Sequence, residues 1–129
     1  MEKELNNEIK EEVVNHPSHY ANSCSLECIE AMELFYGLKA VFDFCKLNAF
    51  KYIWRYKNKN GEEDLQKAKW YCGKGYYFLS KLRSEGKITE QELESERQEL
   101  QNLRDFINHK LKIERIKEIS EEEEKALKE

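Results

Sequence analysis

The sequence predicts an all-α fold: a small helical bundle with a central antiparallel helix pair and a long C-terminal helix, assembled as a homo-oligomer. Three observations point to the helical class. No stretch alternates apolar and polar residues in the way a half-buried strand requires. Start and stop signals succeed one another at helix-length spacing, with glycine at the breaks. Charged residues make up 37% of the chain against 40% hydrophobic, a balance that suits helices with broad solvated faces. A length of 129 residues fits one core. Within it the sequence reads as an acidic arm over 1–14, a helical domain over 15–84 and a helical extension over 85–129.

Each helix has its own warrant. The first is expected after Ser25, a good N-cap residue, and ends at Gly37. Its spacing turns Cys28, Met32 and Phe35 inward and Glu27, Glu30 and Glu33 outward. The second runs from about Val41 to Tyr56 and stops at "NKNG", whose Asn and Gly accept the backbone angles of a reversal. Glu62, Glu63 and Asp64 then suit the positive end of a third helix reaching about Arg83, with Leu65, Ala68, Cys72, Gly75, Leu79 and Leu82 as its core stripe. "SEGK" breaks the chain. Thr89 and Glu92 form a capping box for the fourth helix. Leu93, Leu100, Leu103 and Ile107 keep heptad spacing there until Lys110 and Glu114 interrupt it. The tail, SEEEEKALKE, is expected to fray or stay solvated.

Charge is segregated along the chain. The net charge is −4, yet residues 44–87 hold 11 basic and 4 acidic groups between flanks of −6 and −5. No carboxylate stands between Phe44 and Gly61, where Lys46, Lys51, Arg55, Lys57 and Lys59 all occur. Such a local cationic field attracts phosphate. The acidic flanks disfavour long nucleic acid, which would run over them, so a compact anion fits better. The chain has no apolar run of membrane-spanning length and its first residues lack a secretory signal, so a cytoplasmic protein with no membrane contact and free thiols is expected.

On the second helix, taken at about 100° per residue, Leu47, Ala49, Phe50, Ile53, Trp54 and Tyr56 fill a broad half assigned to core or interface. Asn48, Lys51, Tyr52 and Arg55 form the remaining wedge. An arginine that forks onto phosphate, a lysine that adds a point charge and an amide that reads a base or sugar make a nucleotide reader. On the third helix Lys67, Lys74 and Lys81 recur every seven residues with Trp70 and Tyr77 between them, a pattern that can stack bases or merely keep aromatic surface soluble. The short turn makes the two helices antiparallel neighbours and brings Arg55, Lys57, Asp64 and Lys67 together. Upstream, "NHPSHY" at 15–20 is stiffened by its proline. As a strap over the site it offers His16 and His19 as phosphate donors or acid/base groups, and Tyr20 as a stacking or hydrogen-bonding group.

"NHPSHY", "ECIE" at 27–30 and "NAFKYIWRYKNKNGEEDLQKAKWY" at 48–71 together resemble the small phage nucleotide-kinase-like (SaV-like) domain family. That family is similar to the nucleotide kinase of the T-odd coliphages, which phosphorylates deoxynucleoside monophosphates without a P-loop. The resemblance covers about residues 15–83. It implies that His16, His19, Tyr20, Asn48, Lys51, Tyr52, Arg55, Lys57, Asp64 and Lys67 are the shared polar positions of a nucleotide site in the cytoplasm of an infected host cell. A histidine, His16 or His19, would assist the nucleophile, and ATP or another nucleotide would be the phosphoryl donor. Phosphoryl transfer rests mainly on positioning and cationic stabilisation, so the lack of a P-loop is no obstacle.

Three other readings use the same residues. Sequestration of a nucleotide signal of host anti-phage defence needs the same cations without the chemistry. A metal-dependent all-α nucleotide pyrophosphohydrolase would use Glu27, Glu30 and Glu33, but its second Glu-x-x-Asp pair is missing, Ala40 standing three residues before Asp43. Zinc at His16, His19, Cys24 and Cys28 lacks the tight Cys-x-x-Cys knuckle. No resident metal is expected.

Overall fold

The computed structural model describes residues 26–128, and every regular element among them is helical. The helices are α1 (Leu26–Tyr36), α2 (Leu38–Arg55), α3 (Glu62–Ser84) and α4 (Glu90–Lys128), with a single 3-10 turn at Tyr56–Asn58 after α2. The chain divides into two compact units, residues 1–41 and 42–129. The acidic arm and the "NHPSHY" strap lie outside the described residues.

In the first unit α1 stops where Gly37 takes a φ of 91°, a left-handed angle that side chains oppose. Its N–H donates to the Glu33 carbonyl at 3.0 Å, closing the last turn. The inward face differs from the expected one. Ile29 and Glu27 are buried, whereas Cys28 is exposed and Phe35 is 74% exposed. Apolar residues stand nearly all round this short helix, so its spacing does not single out a face.

The second unit is built on heptad-like spacing. Phe42, Cys45, Ala49, Tyr52 and Tyr56 of α2 and the adjoining turn are buried, in alternating steps of three and four that keep one stripe pointing inward. This corrects the expected phase. Leu47 is 62%, Phe50 52% and Trp54 79% exposed, and Tyr52, assigned to the polar wedge, is 2% exposed. Ala49 and Tyr56, from the half assigned to core or interface, are buried, as the core alternative requires. α2 also begins three residues earlier than expected, directly after Gly37.

The reversal into α3 uses the residues expected of it. Gly61 sits at φ 53° and donates its N–H to the Tyr56 carbonyl at 2.8 Å. α3 then runs back along α2: Arg55 meets Asp64, and further up Tyr52 stacks on Tyr71 at 5.7 Å. All six residues of the expected α3 stripe are buried, joined by Tyr71 and Phe78. The break at Ser84 is closed by Gly86 (φ 66°) and by the Lys87 N–H donating to the Leu82 carbonyl at 2.9 Å.

Thr89 caps α4, its Oγ1 accepting the Glu92 N–H at 3.1 Å while its hydroxyl donates to Glu92 Oε1 at 2.9 Å. Leu93, Leu100 and Ile107 are buried, and Leu100 lies against Gly75 of α3 so closely that a Cβ there would stand 3.1 Å from Leu100 Cδ2. The Cys72 thiol donates to the Leu100 carbonyl at 3.6 Å across the same seam. Through Leu93, Leu100 and Ile107, α4 therefore shares the core of the unit that begins at Phe42. The tail stays solvated, but it continues α4 to Lys128. No helix of the described residues is long and apolar enough to cross a membrane.

Candidate functional site

The centre of the candidate site is the ring of Tyr52. Three cations gather on it: Lys51 Nζ at 4.5 Å, Arg55 Cζ at 4.7 Å and Lys67 Nζ at 5.6 Å from the ring centroid. Arg55 lies one helical turn past Lys51, and Lys67 reaches in from α3. The negative face of an aromatic ring attracts such groups. Tyr71 stacks on Tyr52 with planes only 15° apart, which fixes the ring as a platform. Tyr52 thus supports the cations from within the core rather than reading a ligand from the surface.

Arg55 is held by Asp64 through two bonds, Nε to Oδ2 and Nη2 to Oδ1, each 3.2 Å. Asp64 is fully buried and also accepts the Asn60 backbone N–H at 3.2 Å and its side-chain amide at 3.5 Å. Burial by itself would raise the Asp64 pKa, but the hydrogen bonds from Arg55 and Asn60, with the Arg55 charge, outweigh it and hold the carboxyl below the ordinary carboxylate range. The same bond to Asp64 raises Arg55 above its already high value. Two of the five guanidinium N–H groups face Asp64, leaving the others for a second acceptor.

Lys67 pairs with Glu63 one turn before it, at 3.3 Å. Lys51 has no carboxylate within ion-pair distance among the described residues. Counting Glu63 and Asp64 against the three cations, the cluster keeps one positive charge, placed on Lys51. The rest of the carboxylate-free basic stretch is dispersed. Lys46 is paired with Glu96 at 2.9 Å and Glu99 at 3.5 Å on α4, partners that no local sequence pattern reveals.

Of the expected site residues, the structure brings together Lys51, Tyr52, Arg55, Asp64 and Lys67. It does not bring in Lys57, which lines a separate cavity of about 380 Å³ with Tyr56, Gly61 and α4 side chains. Asn48 bonds its own helix, its amide donating to the Phe44 carbonyl at 2.8 Å. His16, His19 and Tyr20 lie outside the described residues. Sequence reasoning missed Asn60 and Glu63, although Glu63 stands four residues before Lys67, the spacing at which helical neighbours meet, while Asn60 reaches Asp64 from the turn before α3. On α3, Lys74 lies 5.6 Å from the Trp70 ring and 5.5 Å from that of Tyr77, and Lys81 lies 5.5 Å from Tyr77, so cations and aromatics do alternate along this face. Among the described residues no three His, Cys, Asp or Glu side chains gather to hold a metal ion. Glu27 is buried while Glu30 is exposed, so these two do not share the outward face expected of them. Of the proposed zinc ligands only Cys28 falls among the described residues.

A family model described as a protein of unknown function (DUF3310) matches residues 14–73, somewhat less than half of the chain. The matched stretch includes every member of the Tyr52 cluster and ends before α4. No curated protein and no solved structure matches the chain.

Proposed function

We propose that the chain binds a phosphorylated nucleoside, with Lys51, Arg55 and Lys67 taking the phosphate. The observation that carries this reading is the state of Arg55 and Lys51: one is locked in place by a buried carboxylate, the other has no counter-charge among the described residues. A guanidinium fixed in advance loses little freedom on meeting phosphate, and an adjacent ammonium adds a further positive charge. Lys51→Ala is expected to weaken nucleotide binding about tenfold, the loss of one charge-assisted contact. Calorimetric titration with nucleoside mono- and triphosphates checks it, and unchanged affinity would remove the cluster from the site.

The bound nucleotide has two candidate fates, transfer of a phosphoryl group or simple retention. The resemblance to P-loop-free phage nucleotide kinases supports phosphoryl transfer, for which cationic positioning is the main requirement. Sequestration of a nucleotide, as in countering a defence signal, needs the same cations and no base, and both carboxylates of the cluster are already engaged, Asp64 by Arg55 and Asn60 and Glu63 by Lys67. Incubation with ATP and a nucleoside monophosphate, then denaturation and chromatography, separates the two. The diphosphate of the acceptor nucleoside, formed together with ADP, supports transfer; return of both ligands unchanged supports holding.

Self-association belongs to the same proposal. Leu47, Phe50 and Trp54 form an exposed apolar stripe on α2, the last two stacked at 6.0 Å, and a second copy would cover it. Sedimentation of the intact chain should find a species heavier than monomer, and monomer alone across the micromolar range would remove this part.

A further inference from the structure

The core stripe of α4 contains an irregularity that the nucleotide reading does not use. Leu93, Leu100 and Ile107 recur at sevens and are buried, but the next residue in that series is Glu114. The parallel series through Leu103 continues as Lys110 and Lys117. Charged residues therefore occupy the positions where this helix has so far packed its leucines and isoleucine. Polar groups at such positions weaken packing unless something satisfies them.

The structure shows what these residues face. Lys110, Glu114 and Lys117 line the cavity of about 380 Å³ together with Tyr56, Lys57 and Gly61 from the turn between α2 and α3. That volume lies within the range of small-ligand sites, roughly 300–1,000 Å³. Gly61 contributes backbone only, and nothing lies within 4 Å of where its Cβ would be. Glu114 Oε1 is 3.7 Å from Lys117 Nζ. Neither Lys57 nor Lys110 has a carboxylate within ion-pair distance among the described residues, and Lys110 rests over the Phe106 ring at 5.4 Å. Three ammonium groups against one carboxylate leave the lining with two positive charges.

We propose that this cavity is a second anion site, separate from the Tyr52 cluster, which takes a compact diphosphate group between the α2–α3 turn and the distal half of α4. Lysines from two elements line one space, an arrangement that suits a small group of high charge. A singly charged carboxylate would leave part of the lining unmatched. The site does not depend on nucleotide binding by Lys51, Arg55 and Lys67.

Inorganic pyrophosphate titrated into the full chain tests it, read by calorimetry and by thermal melting. Saturable binding and a higher melting temperature with pyrophosphate are expected. Lys110→Leu continues the apolar stripe, so the unliganded variant should melt no lower than the parent while its pyrophosphate affinity falls about tenfold. Glu114→Gln removes the one opposing charge and should tighten binding. The same comparison in a Lys51→Ala background separates the two sites, since the loss caused by Lys110→Leu should persist there. Absence of pyrophosphate binding, or an affinity that Lys110→Leu leaves unchanged, overturns the proposal.

Discussion

Asp64→Ala is expected to destabilise the protein by about 3 kcal/mol, the low end of what breaking a buried ion pair costs. Asp64 has no exposed surface, and its removal takes acceptors from the Arg55 guanidinium and from the Asn60 backbone N–H together. The loss is tempered because the Arg55 side chain is 34% exposed and can turn towards water. Asp64→Asn keeps an acceptor without the charge and should fall between the two. Urea denaturation at neutral pH measures both, urea being preferred because it does not screen ion pairs.

The acid dependence has a definite sign. The folded-state pKa of Asp64 is lowered, so its contribution is fully present above the unfolded carboxyl value of about 3.9 and is lost as pH falls through the folded value. The gap between wild type and Asp64→Ala should therefore narrow below about pH 4. A gap of the same size at neutral and strongly acidic pH would refute the assignment. The variant should also bind nucleotide more weakly, since Arg55 loses the carboxylate that aims it.

Leu100→Ala is expected to cost about 3 kcal/mol through lost burial and the cavity left behind. Its neighbour turns this into a sharper test. Gly75→Ala alone gains roughly 1 kcal/mol of helix propensity but sets a methyl group 3.1 Å from Leu100 Cδ2, so its net effect should be small. With Leu100 already shortened the obstruction is gone, and the same substitution should stabilise. A double-mutant cycle should give a favourable coupling of about 1 kcal/mol; strict additivity would mean that Gly75 is not there to admit Leu100.

Residues whose partners lie close in sequence were legible before the structure. The α3 stripe, the glycine reversal at 58–61 and the Thr89 capping box all rest on local spacing, and all appear as expected. The phase of α2 was not legible. Apolar residues occupy most of its length, so the projection gathers Leu47, Phe50 and Trp54 with Ala49 and Tyr56 in one half, whereas burial keeps Ala49 and Tyr56 and adds Phe42, Cys45 and Tyr52. The signal lay in steps of three and four through Phe42, Cys45, Ala49, Tyr52 and Tyr56. Half of the candidate site came from helix spacing: Lys51 and Arg55 do lie side by side. Neutralisation of Lys46 by Glu96, fifty residues away, depends on how the helices pack.

The two tryptophans occupy unlike surroundings. Trp54 is 79% exposed, and Trp70 is partly covered, edge-on to Tyr71 at 5.0 Å. An indole in water emits at longer wavelength and meets a soluble quencher freely; a shielded one does neither. With Trp70→Phe the remaining fluorophore sits on the same helix as Lys51 and Arg55, one residue from the guanidinium. The chain thus carries its own optical reporter: a blue shift of that single indole signals a surface closing over α2.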